Sequence, residues 1–213
     1  MGGASRLAIG MAAAIVLAGC GSTSHQQATT TSVAASPNVA LPAGPPPAAI
    51  KGRVLTVGEL AGYAPGKTHF TNSAAGEVAD LPISEQGPEA ARLQSLGFVA
   101  ALREQLTPVS TGSSEGEAIS IAEQFRSPRA ARTQLAFIVG HDTGGAFTPF
   151  VVPGIPGAHG WAESSQGGAI NIAFADGPYY YIVGAGWQPG QPQPPTQSTM
   201  IAATQRLYSR VHR

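Results

Sequence analysis

The sequence predicts an α+β fold in which helices pack on an antiparallel sheet. Several short runs alternate apolar and polar residues with a period of two, which indicates strands. Neighbouring strands are separated by turn-forming residues, which favours hairpins and antiparallel pairing. Longer segments with helix start and stop signals lie between and after these pairs. We therefore expect a layered α+β domain that ends in a C-terminal meander followed by a closing helix.

The first predicted elements are a short strand or extended segment at Arg53–Val57 and a helix at Pro88–Leu96. Between them, residues 58–83 are rich in glycine and proline and are expected to be irregular. Pro88 suits the first turn of a helix, because its missing N–H has no partner there in any case. Gly97 follows as the residue that ends the helix in a left-handed conformation.

The segment after Gly97 allows two interpretations. Phe98–Leu106 either continues the helix or forms a strand, since most of its apolar residues alternate onto one strand face. We favour the strand, because glycine ends helices and the apolar run Ala118–Phe125 is a suitable partner. The polar residues Ser110–Gly116 would then close a hairpin.

A second helix is predicted to begin at Ser127 and Pro128, which match the N-cap and first-turn preferences. It is expected to run from Arg129 to about Val139 and to stop at Gly140. A short strand at Phe147–Val152 follows.

The C-terminal meander is predicted from three strands, at His159–Ser164, Ala169–Ala175 and Tyr179–Ala185. Asp176-Gly177 between two apolar runs is the strongest hairpin signal in the chain. The last helix, about Ser198–Val211, is expected to present four residues to the core: Ile201, Thr204, Leu207 and Tyr208.

Composition excludes several classes of function. Charged residues are 11% of the chain and the formal net charge is zero, so no basic face for nucleic acid is expected. The single cysteine excludes an internal disulfide. No two histidines have the spacing that places metal ligands on one face, and no cofactor or metal site is expected.

The amino terminus carries the most specific motif. Arg6 precedes an apolar run, Leu7–Leu17, which ends in Leu17-Ala18-Gly19-Cys20. This order resembles the lipobox of bacterial lipoproteins, whose signal peptidase needs small residues beside the cleaved bond. The resemblance implies that residues 1–19 are a signal peptide. It also implies that Cys20 carries a diacylglyceryl thioether, usually with a further acyl chain such as palmitate on its amine.

The domain boundaries follow from composition. Residues 20–50 have almost no large apolar side chains and are expected to be a lipidated cysteine followed by a disordered tether. Residues 51–213 are expected to form a single α+β domain, large enough for a real core. The implied location is the cell membrane, lipid-anchored on the extracytoplasmic face.

Two motifs resemble catalytic or phosphate-binding loops but lack the required context. Ser114 lies in Gly112–Gly116, which matches G-x-S-x-G, but no helix is predicted after it, as a nucleophile elbow requires. Gly62–Thr68 is one residue short of a phosphate-binding loop, and no helix follows. We therefore expect no catalytic residue and no enzymatic activity.

Aromatic residues of the meander are the candidate binding surface. Tyr179 and Tyr181 share one strand face, whereas Tyr180 lies on the other. With Trp161 from a nearby strand, Tyr179 and Tyr181 are candidate ligand-binding residues on an exposed face or groove. The alternative is that the final helix covers this face.

A weaker resemblance extends over residues 85–211. The order of helices and strands resembles the PsbP-like sandwich, and three segments are similar to uncharacterised actinobacterial lipoproteins: Leu96–Phe98, Phe125–Pro128 and Ile155–Ala158. The resemblance implies no catalytic residues. The expected function is a non-catalytic binding or accessory module for an envelope protein or a small apolar ligand. An envelope hydrolase with an unrecognised active site is the alternative.

Overall fold

The computed structural model describes residues 47–109, 118–142, 147–163, 168–187 and 195–213. Over these residues the chain forms seven strands and four helices. In chain order they are β1 (Tyr63–Thr71), α1 (Ala74–Glu77), α2 (Ile83–Ser95), β2 (Phe98–Pro108), β3 (Ala118–Phe125), α3 (Pro128–Asp142), β4 (Phe147–Phe150), β5 (His159–Glu163), β6 (Gly168–Asp176), β7 (Tyr179–Trp187) and α4 (Gln197–Val211). In the part of the chain described here, no helix has the length and apolar character needed to cross a membrane.

The strands form one antiparallel sheet in the order β1-β2-β3-β7-β6-β5-β4. The predicted fold class is therefore confirmed, including the C-terminal meander and the closing helix. The meander pairs with β3 through its last strand, so β1 and β4 form the two edges of the sheet.

Each face of the sheet carries its own hydrophobic core. The first core lies under α4 and the segment 50–60, and the second lies under α1, α2 and α3. Strand β7 contributes to both because its side chains alternate: Tyr181 and Val183 enter the first core, whereas Tyr180 and Ile182 enter the second. The sheet is thus covered on both faces.

The segment 50–60 contains no strand. Of the two alternatives for Arg53–Val57 the strand is therefore wrong, although Leu55 is buried and its backbone N–H donates to Ser120 Oγ at 3.0 Å. Ile50, the last residue of the range 20–50 that the composition predicts to be a tether, is fully buried in the first core. These residues pack on the face of the sheet instead of pairing with a strand.

The first strand lies in the region that was expected to be irregular. In β1 the register with β2 shifts between Pro65 and Thr68. Proline cannot donate to a sheet ladder and is confined to edges and irregular positions. Because Pro65 and Gly66 usually interrupt strands, the sequence did not indicate this edge strand.

Helix α2 begins at Ile83, five residues before the predicted start, so Pro88 lies inside the helix. The predicted end is confirmed, because Gly97 has a φ of +73° and donates to the carbonyl of Gln94 at 2.9 Å. The strand interpretation of Phe98–Leu106 is also confirmed by β2.

Helix α3 begins as predicted, with the N–H of Ala130 donating to Ser127 Oγ at 3.2 Å. It continues through Gly140 to Asp142, so the predicted stop at Gly140 was wrong. Helices tolerate a single glycine at modest cost, and glycine alone does not end one. In α4, Thr204 and Leu207 are buried as predicted, whereas the other two predicted core residues, Ile201 and Tyr208, are only partly buried against the same core.

Candidate functional site: a buried carboxyl cavity

The predicted exposed aromatic surface is not present. The relative exposure is 1% for Trp161, 6% for Tyr179 and 0% for Tyr181. Trp161 lies in the second core and the two tyrosines lie in the first, so the sheet separates them. The alternative is confirmed, since α4 packs over the face that carries Tyr179 and Tyr181.

The two tyrosines interact with the segment 50–60. Arg53 Nη1 donates to the Tyr181 hydroxyl at 2.6 Å, and the Arg53 guanidinium lies 3.8 Å from the centre of the Tyr179 ring. Tyr181 also stacks on Phe174 with a centroid distance of 4.5 Å. The hydroxyl of Tyr181 and a ring face of each tyrosine are therefore already in contact with other residues of the domain.

The other sequence motifs are placed as follows. Cys20 and the candidate Ser114 lie outside the described residues. Most of Gly62–Thr68 is part of β1, so it does not form a phosphate-binding loop. The described residues contain no group of three or more histidine, cysteine or acidic residues that could hold a metal ion.

The cavity that can act as a site lies on the second face of the sheet. It has a volume of about 60 Å³ and lies where α1, α2 and α3 meet strands β2, β3 and β7. A cavity of this size holds a few water molecules. Six of its lining residues carry polar groups: Glu77, Glu89, Arg103, Glu123, Gln134 and Tyr180. The rest of the wall is largely apolar and includes Val78, Leu93, Ile121, Ile138 and Ile182.

Glu77 enters the cavity from the last position of α1. The short helix is fixed at its start because Ser73 Oγ accepts from the N–H of Gly76 at 3.1 Å. Arg103 reaches Glu77 from β2, with Nη2 3.2 Å from Glu77 Oε1. The same guanidinium also pairs with Asp80, at 3.1 Å between Nη1 and Oδ2. Arg103 is therefore committed to two carboxylates.

Glu89 is paired within α2. Arg92, three residues later, donates to both oxygens of Glu89, at 2.7 Å from Nε and 2.5 Å from Nη2. The Arg92 guanidinium also lies 3.8 Å from the centre of the Phe137 ring on α3. Arg92, the second cation near the cavity, is therefore paired with Glu89 through two hydrogen bonds.

Glu123 has no arginine of its own among the described residues. It lies on β3 between the directly opposite residues Ala101 on β2 and Tyr180 on β7. Its side chain accepts a hydrogen bond from Gln134 Nε2 on α3, at 2.9 Å to Oε2. Both residues are buried, Glu123 at 7% and Gln134 at 2% exposure. An amide is thus the partner of a buried carboxyl.

Burial changes the acidity of this cluster. Desolvation raises the pKa of Glu123 well above its usual value of 4.5, and the charge of Glu77 raises it further. The pKa of Glu77 is also raised by burial, although the Arg103 charge and hydrogen bond oppose the shift. The two carboxyls therefore favour the neutral form more strongly than exposed glutamates do.

Two polar atoms on the cavity wall have no hydrogen-bond partner among the described residues. They are Gln134 Oε1, an acceptor, and Arg103 Nε, a donor. Buried polar atoms without a partner are costly and normally bind water or another ligand. The cavity therefore offers one acceptor, one donor and a carboxyl whose pKa is raised by burial.

No two of these carboxyls have a spacing that indicates a shared pocket, so the sequence alone does not single them out. One signal was present, however. In β3, Ile119, Ile121 and Glu123 share one strand face, so a carboxyl continues an apolar stripe. A charged residue in such a stripe indicates either a strand end or a buried, partnered acid.

Comparison with protein-family models and with curated proteins finds no match for this chain. A comparison with solved structures finds the extracellular domain of PknH from Mycobacterium tuberculosis. That match has a TM-score of 0.46 and 12% sequence identity, and covers 71% of this chain and 85% of the other.

Proposed function

We propose that this chain is a lipoprotein, anchored through Cys20 to the extracytoplasmic face of the cell membrane, whose domain is a non-catalytic binding or accessory module. The observation that carries the proposal is the order Leu17-Ala18-Gly19-Cys20 after a basic residue and an apolar run. Small residues before the only cysteine match the requirement of lipoprotein processing. Two or more acyl chains give stable membrane anchoring, whereas one chain binds only marginally.

The cavity volume favours a protein partner over a small apolar ligand. Sites for drug-sized ligands usually measure about 300–1,000 Å³, whereas this cavity measures about 60 Å³. The aromatic residues first considered for ligand binding are core residues. We therefore propose that the domain recognises an envelope protein through its outer surface.

The same dimensions bear on the hydrolase alternative. Glu77 and Glu123 are a pair of carboxyls in one cavity, which is the feature that acid–base hydrolysis would need. The space beside them fits water but not a sugar ring or a peptide unit. The arrangement therefore supports a binding role for the protein more than a catalytic one.

The anchor is tested with the variant Cys20→Ala and the matched control Ser22→Ala, which keeps the lipobox intact. Wild type and control should enter the detergent phase, incorporate labelled fatty acid and show a mature amino terminus at residue 20. Cys20→Ala should lose the acyl label. An unmodified Cys20 thiol, or a mature amino terminus elsewhere in the wild type, would refute the anchor.

The binding role is tested by cross-linking the intact lipoprotein in its own membranes. We expect one envelope protein to be cross-linked reproducibly and competed by excess unlabelled domain. Turnover of an envelope substrate that Ser114→Ala or Glu123→Gln abolishes without unfolding the domain would instead establish the hydrolase.

A further inference from the structure

We propose that Glu123 and Gln134 form a proton-binding site, and that loss of this proton loosens the α1–α2 unit, residues 74–95, from the sheet. The ligand is a proton, accompanied by the few waters that the cavity holds. This site lies in the interior of the domain, and it does not depend on the anchoring and binding roles proposed above.

The charges around the cavity do not balance when every acid is ionised. Four carboxyls and two guanidiniums face the cluster: Glu77 and Asp80 at α1, Glu89 and Arg92 on α2, Arg103 on β2, and Glu123 on β3. The remaining polar neighbours are uncharged, with Gln134 on α3 and Tyr180 on β7. Both guanidiniums already bind other carboxylates, so an ionised Glu123 would be a buried charge with no cation bonded to it, although both arginines partly offset its charge.

The amide of Gln134 can serve both protonation states of Glu123. A carboxylate accepts from the amide NH₂, which is the arrangement observed at 2.9 Å. This orientation leaves Gln134 Oε1 buried and without a partner in the described part of the chain. A protonated carboxyl can instead donate its O–H to the amide oxygen once the amide turns by half a rotation. The half-turn pairs the amide oxygen with the neutral carboxyl and moves the NH₂ group to the cavity position that the oxygen held.

The α1–α2 unit buries fewer apolar side chains than α3, the other helix of the cavity wall. Residues 74–95 bury only three, Ala74, Val78 and Leu93, and Arg103 on β2 pairs with Glu77 and Asp80. Pro88 inside α2 removes one backbone hydrogen bond from the helix. In contrast, α3 buries a longer apolar stripe that includes Ala131, Leu135 and Ile138. Segments with few buried apolar contacts open first.

Ionisation of Glu123 adds a negative charge opposite Glu77, which belongs to α1. Separation of α1 and α2 from the sheet admits water to both carboxyls and reduces their repulsion. A carboxyl whose folded-state pKa lies above its unfolded value stabilises the fold below the unfolded value. This stabilisation is lost as the pH rises through the folded value. The α1–α2 unit is therefore closed in acid and loosens towards alkaline pH.

The first test is hydrogen exchange on the mature lipoprotein in detergent micelles at about pH 5.5 and about pH 8, corrected for intrinsic rates. On raising the pH, residues 74–95 should lose about tenfold more protection than α4, because this unit opens while α4 stays packed on the sheet. Glu123→Gln should abolish this difference because it is permanently neutral. Glu85→Gln changes a glutamate of α2 that does not line the cavity, and this variant should retain the pH-dependent difference in protection.

The second test measures the Glu123 carboxyl directly by carbon NMR in the wild-type protein, with Glu123→Gln used for assignment. The proposal requires a midpoint above 4.5, the ordinary value for glutamate. A midpoint at or below that value, equal loss of protection in α2 and α4, or unchanged pH dependence in Glu123→Gln would each overturn it. If that variant fails to fold, the signal is assigned by sequential connectivity in the wild type, and its midpoint alone decides.

Discussion

Arg210 on α4 binds the carboxylate of Glu59 through two hydrogen bonds, Nε to Oε1 at 2.9 Å and Nη2 to Oε2 at 2.8 Å. The same guanidinium donates to the backbone carbonyls of Gly52 and Val54. One side chain of the last helix therefore fixes three points of the segment 50–60. The bidentate geometry makes this pair stronger than an ordinary surface ion pair.

We expect Glu59→Gln to lower the free energy of unfolding by about 1 kcal/mol near neutral pH, because the substitution removes the charge from this pair. Burial alone would raise the pKa of Glu59, but the hydrogen bonds from Arg210 and from the Thr56 backbone outweigh it, and the pKa lies below 4.5. The stabilisation is therefore present above the unfolded pKa and is lost as the pH falls through the lower folded value. Urea unfolding of wild type and variant at about pH 7 and about pH 3 measures it. If wild type and variant differed in free energy of unfolding by the same amount at both pH values, the stabilising role of the ionised Glu59 would be contradicted.

Tyr181 should remain protonated far into the alkaline range. Burial raises its pKa to about 12, although the hydrogen bond and charge of Arg53 oppose the shift. Its contribution to stability is therefore complete below about pH 10 and declines as the pH approaches 12. Ultraviolet titration of wild type and Tyr181→Phe should show that the missing tyrosine is one of the last to ionise.

The same variant should cost about 1 kcal/mol at neutral pH, since it removes the acceptor of the Arg53 hydrogen bond. Tyr208→Phe on α4 is the matched control, because Tyr208 is an aromatic neighbour of Phe174 in the same core. An equal cost for both substitutions would show that the Arg53 contact contributes nothing specific.

Gly160 should tolerate no side chain. It lies opposite Phe150 in the β4–β5 pair, and a Cβ added at Gly160 would overlap the Phe150 ring. Gly160→Ala is expected to lower the free energy of unfolding by about 1–3 kcal/mol, the usual cost of overpacking. Phe150→Leu in the same chain should recover part of this loss. Gly87→Ala, in open space on α2, should instead be stabilising by up to about 1 kcal/mol.

Local signals in the sequence predicted the elements that local chemistry determines. Ser127 caps α3, Gly97 ends α2, and Gly177, with a φ of +56°, forms the turn between β6 and β7. Each depends on a few neighbouring residues with a definite backbone preference. The alternation in β7 likewise predicted which tyrosines share a face, but not which layer would cover them.

Tertiary contacts determine the features that local sequence signals do not predict. Residues 53–57 have the composition of a strand, yet no strand forms there, and Val54 and Leu55 pack into the first core. The carboxyl cavity combines Glu77, Glu123 and Gln134 from α1, β3 and α3, which come together only when helices from two parts of the chain pack on the same face. No spacing along the chain indicates that these residues are close in space, and only the acid within the apolar stripe of β3 indicated a buried carboxyl.

The attachment of the segment 50–60 to α4 has a mechanical consequence. The chain enters the packed domain beside Ile50, and the next residues are fixed to the last helix by Arg210. Tension applied on the amino-terminal side of residue 47 therefore acts first on these contacts and on α4, before it reaches the edge strand β1. A domain attached in this way resists peeling of its sheet, because the force meets a helix packed on the sheet before it reaches the hydrogen bonds of an edge strand.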